Sequence, residues 1–173
     1  MVKIKEKKKK KLSKWVTLVK KKFVINKKIE TWYYLKTFDY ISIFAINERG
    51  KIAIVNQYRP AINKKTWEFP GGLKDSNLSI YKIAKQEVEE ETGLKVKKLI
   101  KLKTTFTDTG RIDNKVHLFF AKCFQSKNRK KIEDSVKVKF VTYKELLKLI
   151  NKGKFNYNLH ISLMMFVKNQ KLI

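Results

Sequence analysis

The sequence predicts an α+β fold, layers built from a mixed order of strands and a few helices. Three observations carry this. Strand-like runs outnumber helical ones and do not alternate with them, which excludes a regular βα repeat. Two stretches carry an apolar stripe at helical spacing, and a third opens on a capping-box pattern. Hydrophobic residues make up 43% of 173 residues, enough for one sizeable core.

Taken in chain order, residues 1–14 carry eight lysines and one acid. Like charges repel, so a mobile tail is expected there. The stretch lacks the apolar core of a signal peptide and the Arg/Ser content of a transit peptide. From Trp15 the pattern becomes strand-like. Residues 40–46 and 51–58 are apolar runs flanking Asn47-Glu48-Arg49-Gly50, a hairpin signal. Residues 66–69 form a short strand leading into Pro70-Gly71-Gly72.

Residues 78–92 read as a helix whose Ile80, Ile83, Ala84 and Val88 face the core. Asn77 or Ser76 is the expected cap, and Gly93 stands where a glycine stop belongs. Residues 94–106, 115–124 and 136–142 read as strands. Thr142 with Glu145 opens a helix to Lys152, closed by Gly153. The last helix, 158–168, presents Leu159, Leu163, Met164 and Val167.

The charge balance, formal net +27, narrows the function classes. Only Arg49, Arg59, Arg111 and Arg129 are arginines, whereas proteins that grip nucleic acid combine arginine forks with lysines. The lysine surplus is therefore read first as codon bias of an A+T-rich genome, with a polyanion-binding surface as the alternative. No apolar run is long enough to span a membrane. The single Cys123 excludes an internal disulfide and suits a reducing compartment, so a cytoplasmic location is expected. His117 and Cys123 read as core, and His160 as structural.

Against this basic background Glu87, Glu89, Glu90 and Glu91 crowd together. On a helix Glu87, Glu90 and Glu91 share one face, at i, i+3 and i+4, and repel one another. A divalent cation among them relieves that repulsion. Oxygen-only ligands suit Mg²⁺ or Mn²⁺ shared with substrate phosphates. The alternative is a solvated acidic face paired with Lys82, Lys85 and Lys95. Gly71-Gly72 favours the metal, because glycines allow close backbone approach and a carbonyl there adds an oxygen ligand.

Gly72, then Glu87-Val88-Glu89-Glu90-Glu91-Thr92-Gly93-Leu94, resembles the Nudix box, and the spacing from Gly72 to Leu94 matches it residue for residue. Two positions depart from it: Leu78 replaces a glutamate and Gln86 an arginine. The paired loss leaves no orphan charge. The segment around Gln57-Tyr58-Arg59-Pro60 and Glu68-Phe69-Pro70-Gly71-Gly72-Leu73 is similar to the ADP-ribose and ADP-sugar pyrophosphatase branch.

The resemblance implies a Nudix-type α/β/α sandwich with a mixed central sheet over residues 38–173, and an N-terminal antiparallel sheet whose strands at 15–37 swap across a homodimer. It implies Mg²⁺ (or Mn²⁺) held by Glu87, Glu90, Glu91 and the Gly71 carbonyl. Glu90, Glu91 and Asp134, with Glu133 as alternate, become the catalytic candidates. Arg59 on the diphosphate, Asp108 near substrate and Trp32 stacked on the base, with Tyr33 beside it, become the substrate contacts. A strand-end Arg59 paired with Glu68, and a Trp32 that only packs a sheet, are the competing readings. The implied reaction is hydrolysis of the diphosphate bond of a nucleoside diphosphate sugar, ADP-ribose-like, to two monophosphates. The alternatives are a weakly active or non-catalytic nucleotide- or RNA-binding protein of the same fold, and an RNA 5′-end pyrophosphohydrolase.

Overall fold

The computed structural model describes residues 3–126, 132 and 136–173. Its core is a mixed sheet in the order β11 (Lys137–Val141), β5 (Ile52–Arg59), β4 (Tyr40–Ile46), β10 (Val116–Gln125), β8 (Leu94–Thr105). The short β6 (Lys64–Glu68) adds to β5, and β7 (Gly71–Leu73) to β4. Among the described residues the β4–β10 pair is parallel, and the other pairs of this sheet are antiparallel.

Both faces of this sheet are covered, which is why β4 and β10 are nearly continuous apolar runs rather than alternating ones. Ile41, Ile43 and Ala45 of β4 and Phe119 and Ala121 of β10 face α1 (Ile80–Thr92), through Ile83, Ala84 and Val88. Phe44, Leu118 and Phe120 point the other way, toward Leu146 of α2 (Tyr143–Asn151) and Leu159, Leu163 and Val167 of α3 (Asn158–Asn169). The α/β/α layering expected of the chain is what it adopts.

The helix ends follow from their caps. Thr142 and Glu145 bond reciprocally at the start of α2, as their spacing predicts. Gly93 ends α1 at φ 70°, its N–H donating to the Glu89 carbonyl. The α1 start differs from expectation. Ser79, not Ser76 or Asn77, accepts the N–H of Lys82 and begins the helix at Ile80, leaving Leu78 outside it.

The second sheet runs β1 (Lys3–Lys11), β2 (Thr17–Ile25), β3 (Lys28–Lys36) and β9 (Ile112–Asp113). The first three are antiparallel, and β9 joins β3 in parallel. The lysine-rich N-terminus expected as a mobile tail is therefore strand β1 in the structure, and the sheet starts at Lys3 rather than at Trp15. Charge counting overlooked two local supports. Glu6 pairs with Lys8 and Lys22 at 3.0 and 2.9 Å. Ser13 Oγ accepts the N–H groups of Trp15 and Val16 and turns the chain into β2. Hydrogen bonds to Lys22 and then Lys8 pull the Glu6 carboxyl down to about 2.

Candidate active site

The site gathers where β5, β6, β7 and α1 meet. Period-two alternation puts Gln57 and Arg59 on one face of β5. Their partners across the ladder are Thr66 and Lys64 of β6. The Arg59 guanidinium forks onto Glu68, its Nε donating to Oε1 at 2.8 Å and a terminal nitrogen to Oε2. Thr66 Oγ donates to the same carboxylate. Glu68 is 2% exposed, whereas 38% of the Arg59 side chain stays open to solvent. Burial works to raise the Glu68 carboxyl, but Arg59 and Thr66 outweigh it and hold it below the ordinary value.

After Glu68 the chain turns through Phe69 and Pro70 into β7. The Phe69 N–H donates to Nδ1 of His160, on the first turn of α3, at 2.8 Å. His160 is fully buried, and ring contacts with Tyr40, Phe69, Phe155 and Tyr157 surround it. Burial pushes its pKa down to about 3, so it is neutral and acts here as an acceptor. Its Nε2 and the Tyr40 hydroxyl are buried without a partner among the described residues.

The two glycines of β7 are spatial requirements. A Cβ on Gly71 would lie 2.2 Å from the Ile41 carbonyl oxygen of β4. A Cβ on Gly72 would lie 2.1 Å from Glu87 Oε1, so the missing side chain is the space that the Glu87 carboxylate fills. One helical turn further, Glu91 is buried at 5% exposure and accepts the Gly71 N–H at 3.0 Å and the Gln57 amide. The acidic face of α1 thus lies against a glycine strand and the end of β5.

The model of the NUDIX domain matches residues 36–160. The chain belongs to the Nudix family. It is 32% identical to an ADP-ribose pyrophosphatase of Bacillus subtilis (strain 168) over 113 residues, 64% of this chain and 61% of that protein. It is 31% identical to an ADP-ribose pyrophosphatase of Mycobacterium tuberculosis (strain ATCC 25618 / H37Rv) over 94 residues, 54% of this chain and 45% of that protein. The chain therefore spans only about half to three-fifths of these relatives. A solved ADP compounds hydrolase superposes with a TM-score of 0.82 over 98% of this chain and 93% of its own, at 15% identity. That likeness is one of fold.

Nudix hydrolases in general use divalent metals. The residues here fit one in donor chemistry: carboxylate oxygens on one helix turn, a glycine strand that leaves Glu87 room, and backbone carbonyls beside it. In the conformation described, however, no three acids or histidines converge closely enough to hold an ion among the described residues. Glu91 is turned to Gly71 and Gln57, and Glu87 to Gly72. Glu90 is half-buried on the same turn.

Of the other candidates, Trp32 is half exposed on β3. Asp108 is exposed, and its Oδ1 accepts the N–H groups of Gly110 and Arg111, shaping the loop after β8. Asp134 and Glu133 lie outside the described residues. His117 is partnered, its Nε2 with Asp39 at 3.4 Å and its Nδ1 with Thr104 at 3.2 Å. Cys123 is buried, and burial pushes its thiol up to about 12, which makes it inert. Sequence reasoning missed Gln57 as a contact of Glu91 and His160 as the clamp on Phe69. The strand alternation that pairs Gln57 with Arg59 was a usable signal for the first. Nothing local marks the second, 91 residues from its partner.

Proposed function

We propose that this Nudix chain hydrolyses the diphosphate bond of a nucleoside diphosphate sugar, ADP-ribose-like, to two monophosphates. The observation that carries the reading is the contact of the Nudix-box turn, through Glu87 and Glu91, with Gly71-Gly72, beside a partly exposed, permanently charged Arg59. The two bacterial ADP-ribose pyrophosphatases to which the chain is similar suggest the substrate class.

In this reading Glu87, Glu90, Glu91 and the Gly71 carbonyl would hold Mg²⁺, or Mn²⁺ in its place. When bound, such an ion would supply positive charge that offsets the diphosphate oxygens. Arg59, kept charged and oriented by Glu68, turns its solvent-facing side to the same anion. Glu90 faces solvent enough to accept a proton from the attacking water, a role for which Asp134 is the other candidate. Trp32 stacks on the base. Gly71 N–H and Gln57 fix the Glu91 carboxylate, so its orientation does not depend on Gln86, which is exposed at the box arginine position.

The test is turnover of ADP-ribose and other nucleoside diphosphate sugars with Mg²⁺ and with Mn²⁺, products identified by mass. Paired monophosphates, abolished by EDTA, are expected. Absence of turnover across the panel with retained nucleotide binding selects the non-catalytic alternative, which Leu78 and Gln86 motivate. A homodimer through the N-terminal sheet and a cytoplasmic location belong to the same proposal, and sedimentation checks the first.

A further inference from the structure

We propose that the cleft between the end of β8 and the start of α3 holds the distal sugar of the substrate, the one across the diphosphate from the nucleoside. The substrate class is that of the hydrolase reading, on which this proposal rests. The cleft measures about 430 Å³, room for one sugar ring. The rings of Phe106 and Tyr157 line it, with the hydroxyls of Thr105 and Thr107 and the amides of Asn156 and Asn158. Phe106 is 60% exposed, and Thr107, Asn156 and Asn158 are exposed too, so ring and polar groups are open to a ligand.

Charge sets this cleft apart. In a chain with 33% charged residues, no acidic or basic side chain and no histidine is among the described residues that line it. Lys103 and Lys154, each two residues from a lining residue, stay outside. The cleft beside Trp32 differs: Lys21, Arg111 and Asp113 line it, and Phe106 is the wall common to both. Hydroxyls donate and accept, and a carboxamide does both side by side, which matches the neighbouring hydroxyls of a sugar. The C–H face of a sugar ring is apolar and lies well against an aromatic ring. A phosphate here would call for cations, and a lipid tail for walls without amides.

The cleft lies at the same end of the sheet as the site. Thr105 is paired with Val116, Val116 with Tyr40 and Tyr40 with Leu73, one row from the cleft to β7. Three interstrand steps amount to about 14 Å, a span that one nucleoside diphosphate sugar bridges. Tyr157 joins the two places more directly. Its ring lies 4.7 Å from that of His160, whose Nδ1 accepts the Phe69 N–H beside Glu68. Burial raises the Tyr157 hydroxyl, the Glu68 charge raises it further and Arg59 opposes the rise, so this wall of the cleft faces the Glu68–Arg59 pair. A diphosphate on Arg59 therefore has a sugar-sized, uncharged cleft within reach.

The experiment is isothermal titration calorimetry, in EDTA, of ADP-ribose and of the methyl ester of ADP, which has the same charge and no distal sugar. ADP-ribose is expected to bind about tenfold tighter, the net gain of one or two hydrogen bonds. Replacing Asn156 and Asn158 together by Ala should cut that ratio to about twofold or less, with the affinity for the methyl ester and the melting temperature unchanged. Thr107→Val, expected to lower the ratio about threefold, gives a second reading if the double variant folds poorly. The proposal is overturned by no binding of ADP-ribose, by equal wild-type affinities for the two ligands, or by a ratio that neither replacement changes. A loss that falls equally on the methyl ester also overturns it and gives the cleft to the nucleoside. Turnover with Mg²⁺ is measured in parallel. Hydrolysis of ADP-ribose without the ratio overturns the sugar cleft and leaves the hydrolase reading standing; the ratio without hydrolysis does the reverse.

Discussion

Glu91 shows how one carboxylate joins fold and chemistry. It is buried, and its two oxygens take N–H donors from two different strands. Glu91→Gln turns one of those acceptors into a donor facing a donor. Turnover is expected to fall at least a hundredfold, and stability by about 1–3 kcal/mol because a buried donor is left unmatched. Steady-state kinetics and thermal melting read the two effects separately. Wild-type turnover would remove Glu91 from the metal assignment. Gly72→Ala tests the space beside it. Its Cβ would meet the Glu87 carboxylate at 2.1 Å, so either Glu87 or β7 must shift. The expected result is at least tenfold weaker activation by Mg²⁺, read by metal titration, with about 1–3 kcal/mol of destabilisation from overpacking. Arg59→Ala leaves Glu68 buried against a missing cation. The cost is expected below the roughly 3–5 kcal/mol of a fully buried pair, because Arg59 itself is 38% exposed. If Arg59 serves substrate as well, activity falls more than Glu68→Gln alone explains, and a double-mutant cycle separates the two.

At the scale of elements, the strands and helices of the central layer were legible because each carries its own pattern. Apolar runs mark the doubly covered strands, and a single apolar stripe marks the core-facing side of a helix. Caps were legible where hydroxyl and acid spacing agree, as at Thr142 and Glu145. The misreading of β1 has a physical cause. Repulsion among lysines is visible in one dimension, while the pairing of Glu6 with Lys22 exists only once β2 lies alongside. Antiparallel N-terminal strands were expected, but the place of the β2–β3 turn was not read. That two-residue turn is Asn26-Lys27, at φ 49° and 64°, and lysine carries no signal for a turn that needs two left-handed residues. Lys27→Gly removes the Cβ that opposes φ 64°. It is expected to stabilise the protein by about 0.5–1 kcal/mol, measured by denaturant midpoint at constant slope. An unchanged or lower midpoint would show that the turn does not limit the sheet.

For the whole molecule, the link between the α3 layer and the site runs through His160. The sequence offered it only as a structural histidine, because its partner is a backbone group reached by folding the last helix across the sheet. The Nudix-box spacing, by contrast, was legible, since Gly72 of β7 and the glutamates of α1 lie in one short stretch of chain, although Leu78 and Gln86 depart from the pattern. His160 predicts how the molecule responds to acid. Its folded pKa is about 3, and an unfolded histidine titrates near 6.5. Below pH 6.5 the unfolded chain takes up a proton that the native chain refuses. His160 therefore contributes its full stability above pH 6.5 and loses it progressively as pH falls toward 3. The slope reaches about 1.4 kcal/mol per pH unit within that window. Glu68, held below the ordinary carboxylate value, adds loss in the same direction only at lower pH. The informative range is thus pH 6.5 to 5, where carboxylates remain ionised. His160→Gln keeps an acceptor for the Phe69 N–H but has no proton to take up. It should be less stable than wild type at pH 7, because it fills the aromatic cage poorly, and its melting temperature should fall less steeply between pH 6.5 and 5. His117, which burial also depresses, is common to both proteins and cancels. Parallel melting curves over that range would mean that His160 is not the group through which acid loosens the segment carrying Glu68 and Gly71.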